Sequence, residues 1–269
     1  MSEESATSGF VEASQTIEPN RYTNPVSIGQ KDREIYPSEE GYRYLFRTSR
    51  HGKFRVLKAI KPEYRDNELY STMLRKEFDL AYELNHPNII QTIDLEMHPE
   101  YGLSILGEFV DGIPLNEFVE RGGIRNNKIR DKIISQLCDA LDYIHTKQIT
   151  HRDIKPQNIL ITYNGTNVKI IDYGLADEDA YCVLKQPAGS RNYIAPEILN
   201  KESEFITNQC DIYSLGVVIN DMCGDRPKGK YRHIVRKATA NVDSRYGRAG
   251  DLSDDLSDSL WWLNPLKWF

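Results

Sequence analysis

The residues most able to do chemistry lie in one run of ten, HRDIKPQNIL at positions 151–160. Phosphoryl transfer needs a group to orient the attacking hydroxyl, a cation to neutralise charge, and a ligand for a metal ion. Asp153, Lys155 and Asn158 offer those three functions within six residues, directly ahead of an apolar run that reads as a strand. A second apolar run closes in IIDYG, which puts Asp172 at an adjacent strand end as a further oxygen ligand. Two such oxygens suit Mg²⁺, a hard cation that keeps several of its waters.

Elements must hold these groups together, and the pattern around them supplies candidates. From about 33 to 61 strand signals dominate, with YRYLFRT and KFRVLKAI separated by SRHG, which reads as a hairpin turn. Residues 68–84 change to helical spacing, with Leu69, Met73, Phe78, Ala81 and Leu84 on one side. HPNII then stops that helix and starts another strand, and LSILGEFV reads as a buried strand followed by DGIPL as a link. Residues 126–147 form the clearest helix, with an apolar stripe of Ile129, Ile133, Ile134, Leu137, Leu141 and Ile144. ILITYNGTNVKIID reads as a hairpin turning at Asn164-Gly165, and helical periodicity prevails after residue 195. A strand-rich first part and a helix-rich second part predict two lobes with a cleft between them.

Bulk properties narrow the class. The 269 residues can form one large domain or two lobes, and 39% hydrophobic with 28% charged residues is a globular composition. With 34 basic and 40 acidic residues the net charge is −6, so there is no global basic footprint and no nucleic-acid partner is expected. Cys138, Cys182, Cys210 and Cys223 lack metal-type spacing and read as free thiols of a reducing compartment. MSEESATSGFVEASQ has no secretory pattern, and no run approaches the roughly 20 apolar residues of a transmembrane helix. The expected location is cytoplasmic.

The spacing H-R-D-x-K-P-x-N followed by D-Y-G resembles the catalytic core of the eukaryotic-type (Hanks-type) Ser/Thr protein kinase family. GSRNYIAPE, CDIYSLGVV and VDSRYGRAGDL resemble that family's A-P-E segment, its D-x-W-S-x-G helix and its Arg-containing closing segment. The resemblance spans roughly residues 35–256 and implies an α+β, bilobal kinase fold. The divisions expected are a flexible tail at 1–20, a small β-rich lobe at 21–110, a mainly helical lobe at 111–256, and an aromatic tail at 257–269. It implies that Asp153 orients the substrate hydroxyl, Lys155 contacts the transferred phosphate, and Asn158 and Asp172 hold Mg²⁺. Tyr173 replaces the usual Phe and keeps a ring able to pack near His151. Arg245 is expected to pair with Glu197.

In the small lobe the resemblance implies a phosphate-gripping lysine held by a helical glutamate. Lys58 and Glu77 fit, Glu77 lying ten positions before Pro87; Lys61 is a rival, and Lys58 is preferred because it keeps the usual separation and shares a strand face with Val56. Counting back from Lys58, Gly41 falls at the third glycine of G-x-G-x-x-G, whereas Tyr36 and Ser38 occupy the first two glycine places. The loop is eroded. Glu39 and Glu40 beside phosphate carry a like-charge cost of about 4 kcal/mol per pair at 4 Å and an effective dielectric near 20, unless they point to solvent. Glu108-Phe109-Val110 fits the adenine-binding hinge, with Gly107 before it as a small gatekeeper that enlarges the back of the pocket. Val56, Glu108, Val110 and Leu160 complete the ATP-binding set.

Lys155 and Ser190 point to Ser/Thr rather than Tyr hydroxyls of protein substrates. The activation segment, 175–189, contains no Ser or Thr, so Glu178 or Asp179 is expected to supply the charge that Arg152 normally receives from a phosphate, with Tyr181 as a substitute. The large lobe is short, with 34 positions from Asp211 to Arg245. LWWLNPLKWF holds all three tryptophans and is expected to pack on the large lobe or to contact a partner or membrane surface. Two alternatives stand beside the kinase reading: a pseudokinase acting as a nucleotide-binding scaffold, favoured by the eroded loop, and a kinase-like small-molecule phosphotransferase, favoured by the short lobe.

Overall fold

The computed structural model describes residues 32–35, 41–164, 166–176, 188–200 and 207–258. The expected N-terminal tail, loop residues 36–40, activation-segment residues 177–187 with Glu178, Asp179 and Tyr181, the side chain of Ser190, and the aromatic segment from 259 lie outside the described residues.

The first lobe is a five-stranded antiparallel sheet in the order β1-β2-β3-β5-β4. Its strands are β1 (Arg33–Glu34), β2 (Arg43–Arg50), β3 (Lys53–Ile60), β4 (Thr92–His98) and β5 (Gly102–Glu108). The β2–β3 turn is the predicted one: Arg50 pairs with Lys53, and His51 and Gly52 between them both take positive φ, 51° and 74°. A two-residue turn of that hand matches the twist of the strands it joins, and glycine reaches it without strain. β4 begins only at Thr92, so HPNII is not its start: Ile89 instead makes a lone parallel bridge to Ile170, tying this lobe to the next.

Helix α1 (Glu68–Tyr82) starts where the Asn67 side chain accepts from the Leu69 N–H, a cap that satisfies one orphan donor. Met73 and Leu74 bury against Tyr42, Ile60 and Ile105 of the sheet. Leu69 departs from expectation. It is exposed, because the inward stripe runs through Met73, Leu74, Glu77 and Ala81, and in the first turn Tyr70 is the residue that packs on the sheet-side cluster. Glu77 on that inner face is the one carboxylate the apolar pattern admits, and its partners lie in the cleft.

The segment read as a link at DGIPL forms a strand, β6 (Gly112–Pro114), which pairs with β7 (Ile159–Thr162); β7 in turn pairs with β8 (Val168–Ile170). The Gly112 backbone packs so close to Ile161 that an added Cβ would lie 2.3 Å from its carbonyl oxygen, which is why glycine stands at the crossing. A short helix, α2 (Leu115–Glu120), follows, and then α3 (Asn127–Thr146), capped by the Asn126 side chain accepting from Ile129 N. Ile133, Ile134, Leu137, Leu141 and Ile144 are fully buried and Ile129 packs at the margin, as the periodicity predicts. Among the described residues the remaining α-helices are α4 (Pro196–Leu199), α5 (Gln209–Met222), α6 (Lys230–Ala238) and α7 (Ala249–Ser257). Of these, α5, α6 and α7 pack with α3 in one apolar cluster that also takes in Ile154, Ile159, Ile170 and Tyr173. That cluster fixes the chain segments that bear the 151–174 chemistry.

Candidate active site

Asp211 organises the loop that precedes β7. It is fully buried on α5, and its carboxylate accepts from His151 N and Arg152 N, both at 2.8 Å, and meets His145 Nε2 at 2.9 Å. Burial alone raises the carboxyl, but His145 and the His151 N–H outweigh it and hold Asp211 below the ordinary carboxylate range. This grip sustains Arg152 at a φ of 65°, a left-handed conformation that a non-glycine residue adopts only when its surroundings impose it.

The bend delivers Asp153, Lys155 and Asn158 to one place. Lys155 Nζ lies 2.7 Å from Asp153 Oδ2, and Asn158 Nδ2 donates to the same oxygen at 2.7 Å and to the Asp153 carbonyl at 2.9 Å. Burial raises the Asp153 carboxyl above its usual value, with Lys155 offsetting part of the effect. Asp153 is thus a carboxylate with more appetite for a proton than one in water, which suits a group that accepts a hydroxyl proton.

β8 brings Asp172 alongside. Ile171 N donates to the Asn158 carbonyl at 3.0 Å, so Asn158 and Asp172 flank the same junction. Asp172 also takes a positive φ, 66°, and the Tyr173 ring packs 4.8 Å from the His151 ring, fulfilling the expectation for that replacement.

From the sheet, Lys58 reaches both Glu77 and Asp172: its Nζ forms an ion pair with Glu77 and lies 3.1 Å from Asp172 Oδ1. Lys61 does not approach this group; its ammonium lies 5.5 Å from the Tyr44 ring centroid at the end of β3. A second cation enters that the sequence reading did not select. Arg43, at the start of β2, places Nη1 2.7 Å from Glu77 Oε2 and 3.1 Å from Asp172 Oδ1. Burial pushes the Asp172 carboxyl upward, yet Arg43 and Lys58 together hold it far below the usual carboxylate range. The available signal was Arg43's place two residues after Gly41, where G-x-G-x-x-G-x-V has an apolar residue.

A cavity of about 380 Å³ opens between the lobes. Its wall includes the predicted Val56, Lys58, Glu77, Glu108, Val110 and Leu160, with Asn158 and Asp172 at its polar end; Ile35 and Leu45, not selected from the sequence, also line it. Gly107 lies in the wall as well, and a Cβ there would meet nothing closer than Gln91 O at 3.5 Å. Gly41 opens onto β2 with a φ of 84° and is not part of the wall, and Asp153 and Lys155 sit beside it, joined through Asn158. The Glu108 side chain turns away to Lys169 (2.9 Å) and to Gln91 N (3.1 Å), fixing the segment that joins the lobes. The apolar walls suit a nucleobase. The cluster of Asn158 and a carboxylate held ionised is a donor set that fits a divalent cation. Among the described residues no cluster of three or more His, Cys, Asp or Glu side chains forms a separate metal site.

Arg245 and Glu197 pair as expected, Nη1 to Oε1 at 2.6 Å and Nη2 to Oε2 at 3.1 Å, and the guanidinium also donates to the Gln209 and Ala240 carbonyls. The pair ties the short helix α4 to the segment between α6 and α7.

Residues 39–261 match the family described as protein kinase domain. Similar curated proteins include the serine/threonine-protein kinase PrkC of Bacillus subtilis, 31% identical over 174 residues that cover 64% of this chain and 26% of that one. The serine/threonine-protein kinase PknA of Corynebacterium glutamicum is 34% identical over 180 residues, covering 64% and 38%. The chain thus spans between about a quarter and two fifths of the length of these relatives. Among solved structures, the PknI kinase domain of Mycobacterium tuberculosis superposes with a TM-score of 0.62 over 83% of this chain and 93% of that one, at 21% identity, a likeness that shows the fold.

Proposed function

The chain belongs to the protein kinase domain family, and from that premise we propose that it transfers the γ-phosphoryl group of ATP to Ser or Thr hydroxyls of protein substrates. The observation that carries this reading is the convergence of Asp153, Lys155 and Asn158 with Lys58, Glu77 and Asp172 around one interlobe cavity. Asn158 and Asp172 would hold Mg²⁺, which would neutralise part of the charge on the phosphates of ATP, the phosphoryl donor.

The chain's own residues do the rest by position and charge. Asp153, with its proton affinity raised by burial, orients the incoming hydroxyl and accepts its proton. Lys155, 2.7 Å from Asp153, stands where a cation steadies charge on the group in transfer. Glu77 aims Lys58 into the cavity, and Val56, Leu160 and Val110 offer the apolar surfaces for the base while the Glu108–Val110 backbone offers its polar groups. Lys155 and the relatives' names support Ser/Thr over Tyr hydroxyls. The free thiols of Cys138, Cys210 and Cys223 support a reducing, cytoplasmic setting for this domain. Among the described residues no helix is long and apolar enough to cross a membrane. Gly41 is assigned to the loop over the phosphates, and the segment from 257 is assigned a contact role with the large lobe or a partner.

The test is incubation with γ-labelled ATP and Mg²⁺ beside an Asp153→Asn control, reading self-labelling and labelling of a generic protein. Incorporation that vanishes in the control, mapped to Ser or Thr, is the expected result. No incorporation, with ATP still raising the melting temperature, refutes catalysis and leaves a nucleotide-binding scaffold.

A further inference from the structure

Arg43 has no role in the scheme above, yet it stands directly behind the polar end of the cleft, bonded to two residues of the cavity wall, Glu77 and Asp172. Its guanidinium bridges Glu77 at 2.7 Å and Asp172 at 3.1 and 3.4 Å, between the residue that aims Lys58 and a metal-ligand candidate. The chain makes room for it. A Cβ at Gly174 would lie 2.7 Å from Nη1 and 2.9 Å from Nη2, so the third residue of D-Y-G must be small for the guanidinium to sit there.

Charge explains why a second cation is useful at this place. Glu77, Asp172, Lys58 and Arg43 cancel, two carboxylates against two cations. Without Arg43 the set would carry a net negative charge where a polyanionic nucleotide must dock. The loop that should offset that charge through backbone N–H groups is poor in glycine, with Tyr36 and Ser38 at two of its glycine places and Glu39 and Glu40 adjoining. A guanidinium offers what such a loop has lost: several N–H donors in a planar fork that matches phosphate oxygens two at a time.

We propose that Arg43 is a phosphate ligand: its guanidinium, held in place by Asp172 and Glu77, turns to the terminal phosphates of a nucleoside triphosphate, in place of the amides of a glycine loop. The assignment rests on the nucleotide reading given above. It makes Arg43 a determinant of affinity for the phosphate chain and not for the base.

Calorimetric titration of the full chain with adenosine and with ATP, each with Mg²⁺, tests this on wild type, Arg43→Leu and Arg43→Lys. The expected result for Arg43→Leu is ATP affinity lowered by at least about tenfold, the usual worth of a hydrogen-bonded charge, with adenosine affinity held within about twofold. Arg43→Lys, which keeps the charge and loses the fork, should fall between the two. ATP affinity equal to wild type in Arg43→Leu overturns the proposal. So does tighter binding, which would make Arg43 a plug that competes with the nucleotide for Asp172. If the leucine variant loses adenosine as well, the lysine variant decides, and wild-type ATP affinity there overturns the proposal. Failure of wild type to bind either ligand brings down the nucleotide reading itself, an outcome distinct from failure of the Arg43 assignment alone.

Discussion

Asp211 offers the sharpest test of how the catalytic loop is held. It makes no contact with the cavity, yet three groups of the 145–152 region depend on it: His145 Nε2, His151 N and Arg152 N. Asp211→Ala leaves two backbone N–H groups and an imidazole without an acceptor in a buried site. At about 1–3 kcal/mol per orphaned group, with partial relaxation, the expected loss is roughly 3–5 kcal/mol. Asp211→Asn keeps the shape but turns one oxygen into a donor that faces another donor, so about 2 kcal/mol is expected. The pH dependence adds a second handle. Because the folded carboxyl lies below its ordinary value, the unfolded chain takes up the proton more readily, near a pKa of about 3.9. The stability from ionised Asp211 is therefore fully present above that value and is lost as pH falls from about 4 toward the folded value. The difference in urea unfolding between wild type and Asp211→Asn should shrink as pH falls below about 4. A variant within about 0.5 kcal/mol of wild type at pH 7, or a difference that does not shrink in acid, refutes this account.

Three further outcomes follow from the geometry. Gly107→Leu should fold, since the first added carbon meets only ordinary contacts, and it should leave ATP affinity nearly unchanged. It should nonetheless weaken adenosine carrying a benzyl group on its exocyclic amine by at least about tenfold, at about 0.8 kcal/mol per CH₂ denied burial; equal binding of that ligand to both proteins would remove Gly107 from the pocket's specificity. Arg245→Met deprives Glu197 and two carbonyls of their donor, and a loss of about 2–4 kcal/mol in urea unfolding is expected, against which an unchanged midpoint would count. Lys58→Met should lower labelling by at least about a hundredfold while Lys61→Met retains it, because of these two lysines it is Lys58 that reaches Glu77 and Asp172; the reverse order would return the role to Lys61.

Where local periodicity and a short-range rule act together, the sequence was legible. The α3 stripe and the His51-Gly52 turn are of this kind: each is set by neighbours within a few residues, and the structure keeps them nearly to the residue. Positions set by distant packing were less so. Leu69 fits a helical face on spacing alone, but Tyr70 is the first-turn residue that packs against Tyr42 and Tyr64, leaving Leu69 exposed. DGIPL offers only three residues to a strand, and its strand character comes from pairing with β7, some fifty residues later. Arg43 was missed for the same reason. A polar residue among apolar ones reads as the solvent face of a strand, and only the arrival of Glu77 and Asp172 from other elements makes its position half-buried and charged.

Only 34 positions separate Asp211 from Arg245, and both anchors are nonetheless held in place. The crossing of α5 and α6 accounts for this. A Cβ on Gly216 would come within 2.7 Å of the Ala238 Cβ and 3.0 Å of the Thr239 Cγ2, so the two helices approach as closely as small residues permit. Such an approach lets a nine-residue α6 close over α5 directly, with Ile234 and Ala238 fully buried against the cluster that contains Ile212, Leu215 and Ile219. The chain then returns at once to Arg245, whose guanidinium reaches back to the Gln209 carbonyl at the start of α5 and across to Glu197. Both ends of this stretch are thereby fixed to α5, the helix whose Asp211 grips the catalytic loop. A path of contacts thus runs from α6 through α5 to the loop that bears Asp153.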